Sequence, residues 1–450
     1  MQEILKQSSL TGKLFKRQQL IDGVEYRLTK HCIKTCCDGG ELLFHTLTGE
    51  LVLLEHGESD KDARKELVEK GFLVPEGQND VRLADEFLRT AALIPPRSDR
   101  IDSFTVLTTT DCNARCYYCY EKGRRRLSMS GKTALDVAAY ISNASKGGPV
   151  SLSWFGGEPL YNIPVIDLIC GELKKRGVKL KSHMTSNGYY LTPEIAIKAR
   201  DAWKLEHVQI TVDGTEDFYR RTKAYTDRDA NPLVRVLDNA ENAMDTGIRV
   251  FLRLNVDASN AEDMMNAVDL LGRRFKGREN CMIQVAFLSS FADRVHEFES
   301  PDDAVRCYFS LTERAAYYGL KYDKPFTNDL AANRCIADSS ACEVILPDGS
   351  LGKCEHFSES ELIGSIYSPD RDMNMVSSWK ERKKAKDMPE CGDCPIYPRC
   401  INLKKCEWTK NGCPSYVRLI RIRMLEEQLL KKYLNWKERI AEEDDNDETE

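Results

Sequence analysis

The chain has 450 residues, 42% hydrophobic and 30% charged, the balance of an ordinary globular protein long enough for two or three domains. No run of about 18 apolar residues occurs and Met1-Gln-Glu-Ile-Leu-Lys-Gln has no signal-peptide core, so we expect a cytoplasmic protein without a membrane partner. The seven acids of 441–450 more than account for the net charge of −6; they read as a solvated, disordered tail, and nothing suggests a nucleic-acid-binding surface.

Residues 1–95 read as a separate small module. Strands are predicted at 24–29, 42–47 and 51–54, with Thr48-Gly49-Glu50 as the turn between the last two. An amphipathic helix follows over 60–70 and stops at Gly71, then a short strand at 72–75, a second helix over 80–92, and Pro95-Pro96 as closure. These strands plus helices suit a small α+β, winged-helix-like fold. Cys32, Cys36 and Cys37 lie here at C-x₃-C-C spacing; with no second pair nearby they read as unligated thiols.

From residue 104 strands and helices alternate. Strands are predicted at 104–109, 150–154, 179–185, 207–212, 249–255 and 282–288, helices at 131–145, 163–176, 193–202, 233–246 and 261–275. That rhythm means βαβ units and a parallel sheet, with functional groups at the carboxyl ends of the strands. Seventeen cysteines are too many for packing alone, and in a reducing compartment clustered cysteines point to metal or catalysis. The first strand leads into Cys112-Asn-Ala-Arg-Cys116-Tyr-Tyr-Cys119. Three thiols so close converge on one small inorganic object and leave a position open for a substrate or cofactor; a zinc loop or three buried structural cysteines are the plain alternatives. The second strand ends in Gly156-Gly157-Glu158-Pro159, where glycines let backbone approach a ligand. The third ends in Thr185-Ser186-Asn187-Gly188 and the fourth in Val212-Asp213-Gly214. On the fifth, Arg253 and Asn255 share one side. Arg124-Arg125-Arg126 reads as a solvated basic turn. Cys335, Cys342, Cys354, Cys391, Cys394, Cys400, Cys406 and Cys413 follow, with a zinc ribbon as the alternative for C-x₂-C then C-x₅-C. A long helix over 415–440 precedes the tail.

The aromatic Tyr118 before the last cysteine of C-x₃-C-x-aromatic-C, followed one βα unit later by G-G-E-P, resembles the radical S-adenosylmethionine (radical SAM) family. The resemblance implies a partial (β/α)6 barrel over 100–320 in which Cys112, Cys116 and Cys119 hold a 4Fe-4S cluster. Gly156, Gly157, Glu158, Ser186, Asn187 and Arg253 would bind SAM. Cysteine spacing after residue 330 is similar to the SPASM extension, over 330–415 here, with two auxiliary 4Fe-4S clusters. Its interleaved pattern assigns Cys335, Cys342, Cys354 and Cys406 to the first and Cys391, Cys394, Cys400 and Cys413 to the second; the interval before Cys406 is longer than the family's, which leaves Cys406 and Cys413 exchangeable. Residues 416–450 are the terminal helix and tail. Residues 1–95 look like the leader-peptide recognition element of ribosomal-peptide (RiPP) maturases. The implied activity is cleavage of SAM to a 5′-deoxyadenosyl radical, hydrogen abstraction from a precursor peptide with a leader, and a thioether or carbon–carbon cross-link. Flavodoxin or ferredoxin would donate the electron. The catalytic base is open, with Asp213 and Glu355 as candidates. The alternatives are an anaerobic sulfatase maturase making formylglycine, whose family carries Asp where this chain has Glu355, and a non-catalytic iron–sulfur or zinc scaffold.

Overall fold

Apolar residues at period two in the strands and near 3.6 in the helices drive the alternation through the middle of the chain. The computed structural model describes residues 1–6, 18–55, 61–92, 100–288, 295–322, 335–356, 359–383, 388–400, 403–407 and 412–447. Two units emerge: one from the described residues of Met1–Pro95, Lys324–Cys335 and Arg382–Glu450, the other from those of Pro96–Asp323 and Ile336–Glu381. The stretch 330–415 is therefore divided between them, and the terminal helix belongs with the N-terminal residues.

The first unit holds β1 (Gln2–Leu5), β2 (Tyr26–Leu28), β3 (Cys32–Cys37), β4 (Gly40–His45), β5 (Glu50–Glu55), α1 (Lys61–Glu69), β6 (Leu73–Pro75) and α2 (Asp80–Ala92). Its main sheet runs β1-β5-β4-β3, with β2 and β6 forming a separate pair. Strands β1 and β3 add to the four expected strands, because β1 is short and β3 carries polar and cysteine residues rather than a clean apolar alternation. Cys32, Cys36 and Cys37 thus stand along an edge strand of this sheet. Asp60 and Pro95-Pro96 lie outside the described residues.

The second unit contains β7 (Ser103–Thr109), α3 (Gly131–Ala144), β8 (Val150–Gly156), α4 (Ile163–Lys175), β9 (Leu180–Ser186), α5 (Pro193–Asp201), β10 (Leu205–Thr211), α6 (Glu216–Lys223), α7 (Pro232–Asp245), β11 (Arg249–Val256), α8 (Ala261–Phe275), β12 (Cys281–Phe287), α9 (Pro301–Tyr317), β13 (Lys321–Tyr322), β14 (Cys342–Ile345), β15 (Ser350–Gly352), β16 (Gly364–Ser365) and α10 (Met373–Ser378). Side-chain oxygens cap α3, α5 and α9 (Ser130, Thr192 and Ser300), and prolines open α5, α7 and α9, which fixes where these helices start. Ten strands form one sheet, ordered β13-β12-β11-β10-β9-β8-β7-β14-β15-β16. The six expected strands lie side by side and parallel, β13 and β14 extend them in parallel, and β15 and β16 turn back antiparallel. This mixed α/β sheet is the partial barrel that the motifs imply.

Burial alternates along each strand. Leu152, Trp154, Met184, Val208, Ile210, Val250 and Leu252 are fully buried, whereas Ser153, Thr185, Gln209 and Arg253 on the opposite face are half-buried. The half-buried face is polar, so the barrel interior is suited to a ligand rather than to a dry core.

Helices α11 (Pro389–Gly392) and α12 (Ser415–Asp447) complete the first unit. Leu425, Leu429 and Tyr433 of α12 share a core with Ile33, Phe44 and Leu53 of the N-terminal sheet. The helix continues to Asp447, seven residues past Ile440, into the stretch expected to be disordered. No glycine or proline interrupts 441–447, so nothing local stops it. Among the described residues no helix is long and apolar enough to cross a membrane.

Candidate functional site

Strand β7 delivers the chain to the cysteine loop, and the end of β8 clasps that loop from the side. Gly156 has φ +121°, and a Cβ there would lie 2.1 Å from Thr109 O; on Gly157 it would lie 2.3 Å from Asp111 O. Gly157 N donates to Thr109 O and Glu158 N to Asp111 O, both at 3.0 Å. The sequence suggests that these glycines admit a ligand; in the structure they also admit the neighbouring backbone.

Glu158 is fully buried. Its Oε1 accepts from Leu160 N (3.0 Å) and Ser186 Oγ (2.8 Å), and its Oε2 from Asn187 N (2.7 Å). Burial raises its pKa, against the pull of these donors. Its role is to hold the end of β9: Asn187 Nδ2 then reaches Asn113 Oδ1 at 2.7 Å inside the cysteine loop. Asn113 is itself buried, and among the described residues its Nδ2 has no hydrogen-bond partner.

A buried polar network lies behind the loop. Asp213 Oδ2 pairs with Lys223 Nζ at 2.7 Å and accepts from the Tyr118 hydroxyl; Asp213 Oδ1 accepts from Asn255 Nδ2 at 3.1 Å. Arg253 Nε donates to Asn255 Oδ1 at 2.9 Å. Asp213, Arg253 and Asn255, single residues at strand ends in the sequence, are therefore brought together. Lys223, Thr211 and Asn113 had no local signal, and the Tyr118 hydroxyl matters as well as its ring.

Cys112, Cys116 and Cys119 line one cavity of about 540 Å³, with Gly156, Gly157, Ser186, Asn187 and Lys223 on its wall. Burial, then Glu158, pushes the Cys112 thiol up to about 12; burial pushes Cys116 up to about 11. Among the described residues no three His, Cys, Asp or Glu side chains converge closely enough for a single metal ion. Three soft sulfur donors spread around one cavity fit a cluster of several irons, which would itself supply the positive charge that these buried thiols need to ionise.

Arg124 is not simply solvated: its Nη1 donates to Glu355 O at 2.9 Å and lies 3.7 Å from Glu121 Oε1. Tyr120 stacks on His356 with centroids 3.9 Å apart. These contacts tie the cysteine loop to the segment after Cys354, whose Sγ accepts from His356 N at 3.3 Å. Glu355 Oε2 is buried and has no hydrogen-bond partner among the described residues. Cys342 opens β14 beside Ser103. In the first unit, burial and then Cys400, Glu390, Cys394 and Cys413 push Cys391 up to about 11, so those four cysteines lie within each other's electrostatic reach; Cys406 acts on Cys400. Cys335 also belongs to that unit.

Residues 106–271 match the Radical SAM superfamily model. The probable GTP 3′,8-cyclase of Methanocaldococcus jannaschii is 22% identical over 315 residues, covering 68% of this chain and 95% of that protein. The radical SAM cyclopropyl synthase TigE of Paramaledivibacter caminithermalis is 25% identical over 152 residues, 30% of this chain and 32% of that one. Among solved structures, anSMEcpe with bound AdoMet and Kp18Cys peptide superposes with TM-score 0.52 at 15% identity, covering 74% of this chain and 99% of that chain. SuiB of Streptococcus suis bound to precursor peptide SuiA gives TM-score 0.50 at 14% identity, covering 88% and 97%. At such identities the structural likeness is one of fold. A radical SAM fold implies a 4Fe-4S cluster and SAM.

Proposed function

Starting from a chain whose residues 106–271 form a radical SAM domain, we propose an enzyme of the SPASM type that modifies a ribosomally made precursor peptide and installs a thioether or carbon–carbon cross-link. One observation carries this reading. The likeness to peptide-bound SuiB spans 88% of this chain, well past the barrel, whereas the likeness to the archaeal cyclase stops at 68%. The four-stranded sheet of the first unit, with β3 at its edge, supports a leader-binding role, because extended peptides dock by adding a strand to such an edge.

In this reading Cys112, Cys116 and Cys119 hold the 4Fe-4S cluster, and Gly156, Gly157, Ser186, Asn187 and Arg253 face SAM, with Glu158 acting through Ser186 and Asn187. Cluster and SAM, when bound, supply reductive cleavage and a 5′-deoxyadenosyl radical that takes hydrogen from an unactivated carbon; the chain's task is to hold that carbon close and exclude water. Cys391, Cys394, Cys400 and Cys413 hold an auxiliary cluster, and the total of three clusters, the leader peptide and a flavodoxin or ferredoxin donor are parts of the same proposal. A second reading, cyclisation of a purine nucleotide, is favoured by the 95% coverage of the M. jannaschii protein.

The test is anaerobic turnover of the reconstituted chain with SAM and reductant. Three substrates are offered: a precursor peptide encoded beside its gene, a sulfatase-type cysteine peptide, and GTP. A peptide that loses two hydrogens and gains an internal link supports the proposal. Formylglycine in the sulfatase peptide, or conversion of GTP alone, replaces it with the corresponding alternative.

A further inference from the structure

Lys223 is the last residue of α6, a position where a lysine normally reaches into water and favours the helix dipole. Here its side chain is 2% exposed. An ammonium has three N–H donors, and all three are engaged: Asp213 Oδ2 at 2.7 Å, Tyr118 OH at 3.2 Å, and Thr211 Oγ1. With no donor left over, this lysine is not placed to hand a proton to a substrate.

Its surroundings give it another task. Tyr118 stands between Cys116 and Cys119, and the Lys223 carbonyl accepts from Arg115 N at 2.8 Å. Three residues on, Thr226 N donates to Asn113 O at 2.7 Å, so the segment after α6 grips the cysteine loop by its backbone at two points. Between them Ala224 takes the left-handed conformation, with φ +43°. Lys223 also lines the cavity that the three thiols share, whereas its partner Asp213 does not. Of this buried pair, the cationic member is thus the one on the wall of the cavity that the cysteines share.

We propose that Lys223 is a positioning residue for the cysteine loop, and that its buried charge, backed by Asp213, sets the reduction potential of the cluster held there. The proposal rests on the reading that Cys112, Cys116 and Cys119 carry a 4Fe-4S cluster. Reduction adds one negative charge to a cluster, so a nearby cation favours the reduced state and a nearby anion the oxidised one.

The experiment is a redox titration of the reconstituted full chain followed by electron paramagnetic resonance, without turnover. The relevant cluster is identified by the signal that SAM perturbs and that replacing Cys112, Cys116 and Cys119 with Ala removes. Asp213→Asn leaves the cation alone and should raise the potential. The double variant Lys223→Met/Asp213→Asn leaves no lone buried charge to threaten folding, and should titrate below wild type. The expected order is double variant, wild type, Asp213→Asn; if the single variant takes up no iron, the double variant against wild type decides. Equal potentials, or any other order, overturn the proposal. Absence of any signal that the cysteine replacements remove overturns the cluster reading instead.

Discussion

Gly156→Ala tests whether backbone contact, rather than ligand access, explains the glycines beside the cysteine loop. At φ +121° a side chain is strained before it meets anything, at a cost of about 1–3 kcal/mol. Its Cβ would also stand 2.1 Å from Thr109 O; backbone must then move, and overpacking of this kind costs about 1–3 kcal/mol. The combined loss is about 2–6 kcal/mol, concentrated where β7 hands over to the cysteine loop. Gly147→Ala is the matched control. Gly147 has φ +69° with no described residue within 4 Å of its Cβ position, so it carries conformational strain alone, about 1–2 kcal/mol. Urea unfolding of both variants, with iron per chain measured after reconstitution, checks the comparison. We expect Gly156→Ala to be clearly the less stable and to lose iron at the three-cysteine site. If it matches Gly147→Ala in stability and binds full iron, the clasp has no energetic weight and the reasoning fails.

Replacing Cys112, Cys116 and Cys119 together with Ala should abolish 5′-deoxyadenosine formation while leaving iron elsewhere in the chain, as read by product analysis and iron content. Burial drives His45 down to about 3, so the unfolded chain takes up a proton that the folded chain refuses. Stability from this residue is complete above the unfolded value of about 6.5 and falls on acidification, by about 2 kcal/mol between pH 7 and pH 5, and His45→Gln should flatten that slope in unfolding curves. Leu429→Ala opens a hole in the core shared by α12 and the N-terminal sheet, at a cost of about 2–5 kcal/mol. Peptide-dependent turnover should fall while uncoupled SAM cleavage persists; equal loss of both would contradict the division into two units.

The barrel strands were legible because most alternate apolar and polar residues over a short stretch, and the parallel sheet followed from their alternation with helices. Helix α6, 216–223, was missed because its eight residues carry more charge than apolar pattern; it earns its place by burying Tyr219 and Lys223. Strand β3 was missed for a related reason: Cys32, Cys36 and Cys37 drew attention as possible ligands, although along a strand successive side chains point to opposite faces. The grouping of α12 with residues 1–55 was beyond local reading altogether. Helical periodicity predicts an apolar stripe but does not say what covers it, and here the cover comes from strands nearly four hundred residues away.

The site divides along the same line. Cysteine spacing and G-G-E-P are local signals, and the structure puts the cysteines, Gly156 and Gly157 around one cavity. Glu158 was legible as a carboxylate but not as one whose oxygens are already engaged by Leu160, Ser186 and Asn187. Lys223 gave no signal, since a lysine ending a helix with arginines at 220 and 221 reads as one more solvated charge. What marks it is tertiary: Asp213 is ten residues earlier, Tyr118 is 105 residues earlier, and burial joins all three. An isolated buried ammonium would be strongly unfavourable, and an isolated buried carboxylate likewise. Each is tolerable because the other is there, and the pair is tolerable because Tyr118, Thr211 and Asn255 use their remaining hydrogen-bonding capacity. Such a pair replaced by neutral side chains of similar volume often costs little stability, so folding alone gives weak reason to place it there. Its position directly behind a loop of three thiols gives a stronger one, because there the charge acts on whatever those thiols hold.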